Sequence, residues 1–163
     1  SLDFVAMSTA IGVCENSGTA EGTERADRML GESLRRGLMT DPYRNGIIDL
    51  HGMTRPVARV TLRYALSSLK ARVLEEGYCD DKTVATTPPP LPLPLSSPLP
   101  PLADLTIITG RGIHSAGGQA VLPDEAQKAV CEILGRDVTW DESLRARGRL
   151  VVPSELLLQW ILD

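Results

Sequence analysis

A chain of 163 residues, of which 42% are hydrophobic and 4% aromatic, is long enough to bury one sizeable core, or one compact domain with an appendage. Its formal net charge of −4 argues against a uniformly basic nucleic-acid binder, although a local basic face would still be enough to contact phosphates. Charge or proline breaks every apolar run within about ten residues, so we expect no membrane-spanning segment. The three cysteines lie far apart, without the spacing of a zinc site, and favour free thiols in a reducing compartment.

Two antiparallel helices are predicted over residues 4–39, within a first segment that we place at residues 1–40. Apolar residues recur at helical spacing on both sides of a turn at residues 16–18, and Gly37 ends the second helix. A hairpin of this size cannot bury its own apolar faces, so we expect it to dock on another part of the protein. The first residue is Ser rather than Met, which favours a fragment of a longer polypeptide.

Residues 47–163 are predicted to form an α/β domain, which follows a linker or turn at residues 41–46. Its elements have the order β-α-β-α-β-β, with a closing helix at the end of the chain. They are the strand GIIDLHG, a helix from Thr54 to about Leu74, the strand LTIITG, a helix from Pro123 to Gly135, a two-stranded hairpin over residues 137–152 and the helix PSELLLQWILD. A proline-rich insert at about 83–103 separates the first helix from the second strand, and we expect it to be extended and disordered.

The ends of the two predicted strands carry the residues that point to chemistry. A β-α-β unit pairs its strands in parallel, so both carboxyl ends are expected at the same edge of the sheet, where open α/β sheets place their sites. Asp49 and His51 stand two apart and share a face of the first strand. A carboxylate beside an imidazole can orient the ring, raise its pKa or bind a metal with it. The alternative is a hydrogen-bonded pair that only fixes the turn at the end of the strand.

The second strand runs into the glycine-rich loop TGRGIHSAGGQ, which precedes a helix. Glycines let backbone N–H groups approach an anion, and the guanidinium group of Arg111 offers a fixed fork for phosphate. His114 lies in the same loop, which lacks the Gly-Lys-Ser/Thr ending of a mononucleotide P-loop, so ATP binding is not expected. The alternative is an ordinary turn without a ligand.

Two rows of arginines are candidates for guiding a nucleic-acid strand. The first row recurs every four residues along the first helix of the α/β domain, and a solvated polar face is its preferred interpretation. The second row alternates along the predicted hairpin, where one shared face favours phosphate contact. The first row consists of Arg55, Arg59 and Arg63, and the second of Arg145, Arg147 and Arg149.

The motifs IDLHG and TGRGIHSAGG together resemble the small MutS-related (Smr) domain. The pattern of that family is Leu-Asp-x-His-Gly at the first site and Thr-Gly-x-Gly, often followed by x-His-Ser, at the second. The resemblance covers about residues 46–163. Ile48 replaces the usual Leu of the first motif, and the proline-rich insert is a second departure from the family pattern.

The segment 1–40 resembles a degenerate pentatricopeptide repeat. The matching stretches are STAIGVCENSG, Ala26 and ESLRRGL, and a few extra residues lie between the first stretch and Ala26. The tail RARGRLVVPSELLLQWILD is similar to the end of the plant and algal subfamily that joins such repeats to an Smr domain. In that subfamily a Gly-Arg pair precedes a final helix that contains Trp-Leu. Gly148 and Arg149 match the pair, and Trp160 with Ile161 matches the helix.

The resemblance implies a two-layer sandwich similar to the C-terminal domain of bacterial translation initiation factor three. It also implies nucleic-acid binding, with endonuclease or nicking activity in many members. In this sequence Asp49 and His51 fall on the cleavage motif, and residues 110–112 fall on the loop motif. All candidate phosphate-binding residues, from the motifs and from the arginine rows, are Gly52, Arg55, Thr109, Gly110, Arg111, Gly112, His114, Ser115, Arg145, Arg147 and Arg149.

An endonuclease that acts on RNA in organellar RNA processing is therefore the expected function. The expected partner is single-stranded or structured RNA, no membrane partner is expected, and the oligomeric state is left open. The target of repeat–Smr proteins is usually organellar RNA, so the resemblance implies a chloroplast or mitochondrial location, with the targeting segment outside this chain. A non-cleaving RNA-binding module is one alternative, and an enzyme for a phosphate ligand unrelated to nucleic acid is another.

A mechanism follows from these residues as a hypothesis. The loop amides and Arg111 hold a phosphodiester, and His51, oriented by Asp49, transfers a proton to or from the attacking or leaving oxygen. The nucleophile, water or a ribose 2′-hydroxyl, is left open. No cofactor is expected, because a single carboxylate provides few ligands for a metal ion. A divalent metal at Asp49 is nevertheless left open.

Overall fold

The computed structural model of the protein describes residues 3–75, 102–111 and 120–163. In these ranges the chain is mixed α/β, with a four-stranded mixed sheet. The elements in chain order are α1 (Phe4–Asn16), α2 (Ala20–Arg35), β1 (Tyr43–Arg44), β2 (Ile47–Asp49), α3 (Arg55–Glu75), β3 (Leu105–Ile108), α4 (Leu122–Leu134), α5 (Glu142–Ala146), β4 (Arg149–Val152) and α6 (Ser154–Leu162). Most of the predicted insert at about 83–103 lies outside the described residues. No helix in the ranges described combines the length and the apolar character needed to cross a membrane.

The helices α1 and α2 form the hairpin that the sequence predicts for residues 4–39. Each begins with a side-chain cap, which satisfies an N–H group that has no partner within the helix. Asp3 accepts a hydrogen bond from the N–H of Ala6 at 2.9 Å, and Thr19 accepts one from the N–H of Gly22 at 3.0 Å. Local hydrogen bonding therefore explains where both helices start.

This hairpin docks on α3, as expected of a pair of helices too small to bury its own faces. Its buried side chains Ile11, Ala26 and Leu30 form one apolar cluster with Val57 and Val60 of α3. Removing such surface from water stabilises the contact by about 25 cal/mol for each Å² of apolar area. The hairpin and the α/β part are therefore held together by an apolar interface as well as by the chain between them.

The sheet has the strand order β1-β2-β3-β4, and its central pair, β2 and β3, is parallel, as predicted. The strands β1 and β4 lie antiparallel at the two edges. Residues 41–46, predicted as a linker or turn, include β1 and the tight turn into β2. Asn45 and Gly46 have φ angles of 49° and 77°, the left-handed pair that a two-residue hairpin turn requires.

The two faces of the sheet differ in burial, because alternate residues of a strand point to opposite sides. Ile48, Ile107 and Leu150 lie opposite one another on adjacent strands and are at most 1% exposed. They belong to the main core, to which α3, α4 and α6 all contribute. The residues that alternate with them, such as Ile47 and Ile108, point to the other face and are only partly buried or exposed.

The helices predicted from Thr54 to about Leu74, from Pro123 to Gly135 and at the end of the chain are confirmed as α3, α4 and α6. Gly135 ends α4 in the left-handed conformation, with a φ of 66°, as a C-terminal glycine commonly does. Acidic residues in the first turn of α4, Asp124 and Glu125, also favour a helix start at this point.

The two-stranded hairpin predicted for residues 137–152 is wrong, because this stretch contains the short helix α5 and the single strand β4. Asp141 caps α5: its Oδ1 accepts hydrogen bonds from the N–H groups of Ser143 at 2.8 Å and Leu144 at 3.2 Å. The observed order after the hairpin is therefore β-β-α-β-α-α-β-α, rather than β-α-β-α-β-β followed by a helix.

Candidate functional site

The two motifs meet at one edge of the sheet, where β2 and β3 end side by side. Asp49 lies opposite Ile108 in the parallel register, and the N–H of Leu50 donates to the carbonyl of Ile108 at 2.8 Å. A Cβ atom placed on Gly110 would lie 3.5 Å from the Cβ of His51. The expectation that both strand ends share an edge is therefore confirmed, and Gly110 of the second motif lies close to His51 of the first.

Asp49 and His51 are joined by two hydrogen bonds to one carboxylate oxygen. Oδ1 of Asp49 accepts the backbone N–H of His51 at 3.1 Å and hydrogen-bonds with the ring Nδ1 at 2.6 Å. An ionised carboxylate can only accept, so Nδ1 carries the hydrogen and Nε2 is the nitrogen available for chemistry. The same carboxylate thus fixes the turn and orients the ring.

The position of His51 suits contact with a large ligand. Its side chain is 70% exposed, and that of Asp49 is 44% exposed. His51 sits in a turn closed by the N–H of Met53 and the carbonyl of Leu50 at 3.1 Å. Gly52 follows in this turn with a φ of 77°, a conformation that favours glycine. Gly52 therefore shapes the turn that presents the imidazole.

The start of the glycine-rich loop is held by the carbonyl of Gly148. That oxygen accepts the N–H of Thr109 at 2.8 Å and the N–H of Gly110 at 3.3 Å. These two amides are engaged inside the protein, so they do not serve the anion-binding role expected of the loop amides. Thr109 is 3% exposed, whereas Arg111, two residues further on, is exposed. The remaining loop candidates, Gly112, His114 and Ser115, lie outside the described residues.

Gly148 supports the candidate site in a way that the sequence pattern does not reveal beyond its place in the tail. Its φ is 76°, and a Cβ atom built on it would lie 2.6 Å from the carbonyl carbon and 2.7 Å from the carbonyl oxygen of Gly110. Real Cβ atoms do not approach backbone that closely. A glycine is therefore needed here for the two strand ends to pack, and no local signal of the sequence reports such a long-range contact.

Arg59 and Arg63 of the first row join α3 to the hairpin. Arg63 forms ion pairs with Asp27 at 2.6 Å and with Glu15 at 2.9 Å, and Arg59 approaches Glu15 at 3.4 Å. Burial lowers the pKa of Arg63, but the hydrogen bonds to Glu15 and Asp27 outweigh it and raise the pKa above its ordinary value. A solvated polar face is therefore the wrong interpretation for these two arginines. Arg55, at the first position of α3, is exposed.

The second row of arginines does not share a strand face, since only one of the three lies on a strand. Arg145 is on α5, Arg147 is its C-cap residue, and Arg149 begins β4. Arg145 pairs with Asp124 of α4 and, at 3.4 Å, with Glu142, and the hydrogen bond to Asp124 raises its pKa. Its charge is thus compensated, whereas Arg147 and Arg149 are exposed.

A shallow cleft of about 220 Å³ lies beside the loop. Its lining includes Gly110, Arg111, Pro123, Glu142 and Arg145. The volume is below the roughly 300 Å³ of pockets that enclose drug-sized ligands, so the site is an open edge and not an enclosed pocket. An exposed imidazole and an exposed guanidinium group on such an edge suit an extended anionic ligand.

The arrangement can supply proton transfer and a fixed positive charge. Within residues 3–75, 102–111 and 120–163, no cluster of three or more His, Cys, Asp or Glu side chains has the geometry of a metal site. Asp49 and His51 are the pair that would take part if a divalent metal were bound. Comparison with known proteins found no matching family model, no similar curated protein and no similar solved structure.

Proposed function

We propose that residues 47–163 form an Smr domain that binds nucleic acid, with RNA favoured, and that cleaves or nicks its phosphodiester backbone. The observation that carries the proposal is the meeting of the Asp49–His51 pair with the Gly110–Arg111 turn at one sheet edge. Phosphodiester cleavage needs a group that moves a proton and a cation that offsets charge on the phosphate oxygens. This edge offers both on exposed side chains.

We also propose that this domain is a two-layer sandwich similar to the C-terminal domain of bacterial translation initiation factor three. The parallel pair β2–β3 and the position of α3 and α4 on one face of the sheet support it. The edge strand β1 and the short helix α5 are departures from the order of elements that the resemblance implies.

In the proposed mechanism, His51 is the group that moves the proton. Asp49 holds the Nδ1–H side of the ring, so Nε2 faces the attacking or the leaving oxygen. Arg111 approaches the non-bridging oxygens through its planar guanidinium group, which forms paired hydrogen bonds with phosphate. Positioned proton transfer accelerates reactions by about 10²- to 10⁴-fold. The nucleophile is water or the ribose 2′-hydroxyl, and only the second restricts cleavage to RNA.

Organellar RNA processing is the proposed setting, and it rests on the resemblance of residues 1–40 to a pentatricopeptide repeat. Two capped helices that dock on the α/β part support a repeat-like hairpin. In this proposal, the hairpin leads RNA towards the site, which lies next to the start of α3, the helix on which the hairpin docks.

A second candidate function is a non-cleaving RNA-binding module. The double role of Asp49 favours it, because fixing the turn is by itself a sufficient reason for a carboxylate at this position. In that case the exposed arginines would contact phosphate, and His51 would bind the strand without transferring a proton.

Incubation of the protein with labelled RNA and DNA of the same sequence, with and without a chelator, tests the proposal. We expect cleavage of RNA by the wild type, and we expect His51→Ala to abolish cleavage while RNA affinity changes by less than about twofold. Arg72→Ala, an exposed change in the last turn of α3, should behave as the wild type.

Cleavage that persists in His51→Ala would remove His51 from the mechanism. Wild-type protein that binds RNA without cutting it would favour the non-cleaving module. Wild-type protein that binds neither nucleic acid would contradict both functions.

A further inference from the structure

The face of the sheet opposite the core carries two rows of side chains that are continuous with the site. Directly paired residues of adjacent strands lie on the same face of a sheet. By the strand registers, the first row is Arg44, Ile47, Thr106 and Val151, and the second row is Asp49, Ile108 and Arg149. The second row includes the carboxylate that orients His51, so this surface, called the open face below, ends at the candidate site.

The open face combines an apolar centre with a positive charge at each side. Ile47 is 40% exposed, and Ile108 and Val151 are half-buried. Arg44 on β1 and Arg149 on β4 are both exposed. Three strand spacings of about 4.8 Å separate these two edge strands, so the arginines stand on the order of 14 Å apart across the sheet.

The charge of the open face suits a polyanion. Its two rows hold two arginines and one acid, Asp49, whose carboxylate is engaged by His51. Guanidinium groups contact phosphates, and apolar side chains contact the flat faces of unpaired bases. Other RNA-binding modules lay two or three bases across a four-stranded sheet. The bases of a duplex are stacked inside the helix and cannot reach such a surface.

We propose that the open face is the path of a single nucleic-acid strand, which it leads to the imidazole of His51. The inference rests on the proposed function and adds to it the class of substrate, unpaired in preference to duplex. Bases lie against Ile47, Ile108 and Val151, while phosphates lie against Arg44 and Arg149. Arg44 becomes a binding residue, although the sequence pattern places it in a linker or turn.

Two arginine variants and a matched control test the phosphate contacts. The ligand is a labelled single-stranded RNA, and its affinity is measured by fluorescence anisotropy over a range of salt concentrations. We expect Arg44→Ala and Arg149→Ala each to weaken binding by about fivefold and to lower the salt slope by about 0.7, the value for one phosphate contact on a single strand. Arg72→Ala removes the same charge from the last turn of α3, on the helical side of the sheet, and should change neither quantity.

A second pair of variants tests the apolar centre. Val151→Glu adds a negative charge to the open face and should weaken binding by more than about tenfold, since it repels phosphate and removes apolar contact. Leu74→Glu adds the same group to α3 at a residue that is 55% exposed and should leave binding unchanged. Circular dichroism of each variant confirms that the fold is retained, and the arginine variants, which change exposed residues, carry the test if Val151→Glu unfolds.

The outcomes separate this inference from the proposed function. If the wild type binds the single strand and Arg44→Ala and Arg149→Ala bind it as tightly as Arg72→Ala, the open face is not the path. A duplex of the same sequence bound as tightly as the single strand would also overturn the inference. In both cases the proposed function stands. A wild type that binds neither ligand contradicts the proposed function itself, and the inference falls with it.

Discussion

Gly148 packs so closely against Gly110 that a Cβ atom on Gly148 would lie 2.6 Å from the carbonyl carbon of Gly110. The carbonyl oxygen of Gly148 also accepts the N–H groups of Thr109 and Gly110. The start of β4 therefore sets the backbone from which Arg111 projects. A Cβ atom placed on Gly110 would lie 3.5 Å from the Cβ of His51, so the residue that precedes Arg111 is close to both Gly148 and His51.

Gly148→Ala should destabilise the protein by about 2–4 kcal/mol, because it adds a steric clash to the strain of a left-handed alanine. Gly135→Ala is the matched control: its φ is 66°, and a Cβ atom there meets nothing within 4 Å. This control change should cost only about 1 kcal/mol. Urea unfolding of both variants measures the difference. If both variants lost the same free energy of unfolding, the backbone around Gly148 and Gly110 would accommodate the added methyl group without a steric cost.

Arg63→Met should destabilise the protein and loosen the helical hairpin, because it leaves Asp27 without its cation and Glu15 with Arg59 alone, at 3.4 Å. The Glu15 side chain is only 7% exposed, so weaker compensation of its charge is costly. The Arg63 side chain is 26% exposed and partly screened by solvent, so we expect a loss of about 1–2 kcal/mol. Arg55→Met changes an exposed arginine of the same helix and should cost less than about 0.5 kcal/mol.

Urea unfolding gives the free energies of these two variants, and hydrogen exchange of the α1 and α2 amides reports the loosening. Faster exchange in α1 and α2 is expected for Arg63→Met and not for Arg55→Met. Identical exchange in both variants would mean that the apolar cluster alone holds the hairpin in place.

Asp141 should make the stability of the protein depend on pH in the acid range. Its pKa is lowered from 3.8, first by the hydrogen bond from the Ser143 hydroxyl and then by backbone N–H groups at the start of α5. The ionised form is thus stabilised in the folded state, so this contribution is present above about pH 4 and is lost as pH falls through the lowered pKa. Asp141→Asn keeps a cap without the charge. The stability advantage of the wild type over Asp141→Asn should therefore shrink with acidification, and an advantage constant between about pH 6 and 2 would contradict this assignment.

The elements that the sequence predicts well are those whose signal lies within the element. The helix α3 follows from its apolar spacing, α4 from Pro123 and Gly135 at its ends, and the shared edge of Asp49 and Gly110 from the rule for parallel strands. The helix α5 is missed because Arg145, Arg147 and Arg149 alternate as in a strand, whereas capping by Asp141 decides the local structure.

The supporting contacts of the candidate site are not predictable in the same way, because they join residues that are distant in the chain. The pairs Gly148–Gly110 and Arg63–Glu15 obey no local periodicity, and each exists only once the strands and helices have packed. The candidate pair Asp49–His51 is found from sequence because its two members lie two residues apart. Residue pairs that are close in the chain can therefore be predicted from the sequence, whereas the long-range packing contacts that position them cannot.

Asp49 fixes the turn and orients the ring, and Asp49→Asn separates these roles. The amide oxygen of Asn can still accept the N–H of His51, so the free energy of unfolding should change by less than about 0.5 kcal/mol. The negative charge that stabilises a protonated imidazole is lost, so RNA cleavage should fall by about 10²-fold. Asp49→Ala removes the turn hydrogen bond as well and should also cost about 1 kcal/mol of stability. Cleavage rates and urea unfolding of both variants check this, and wild-type cleavage by Asp49→Asn would assign the carboxylate to the turn alone.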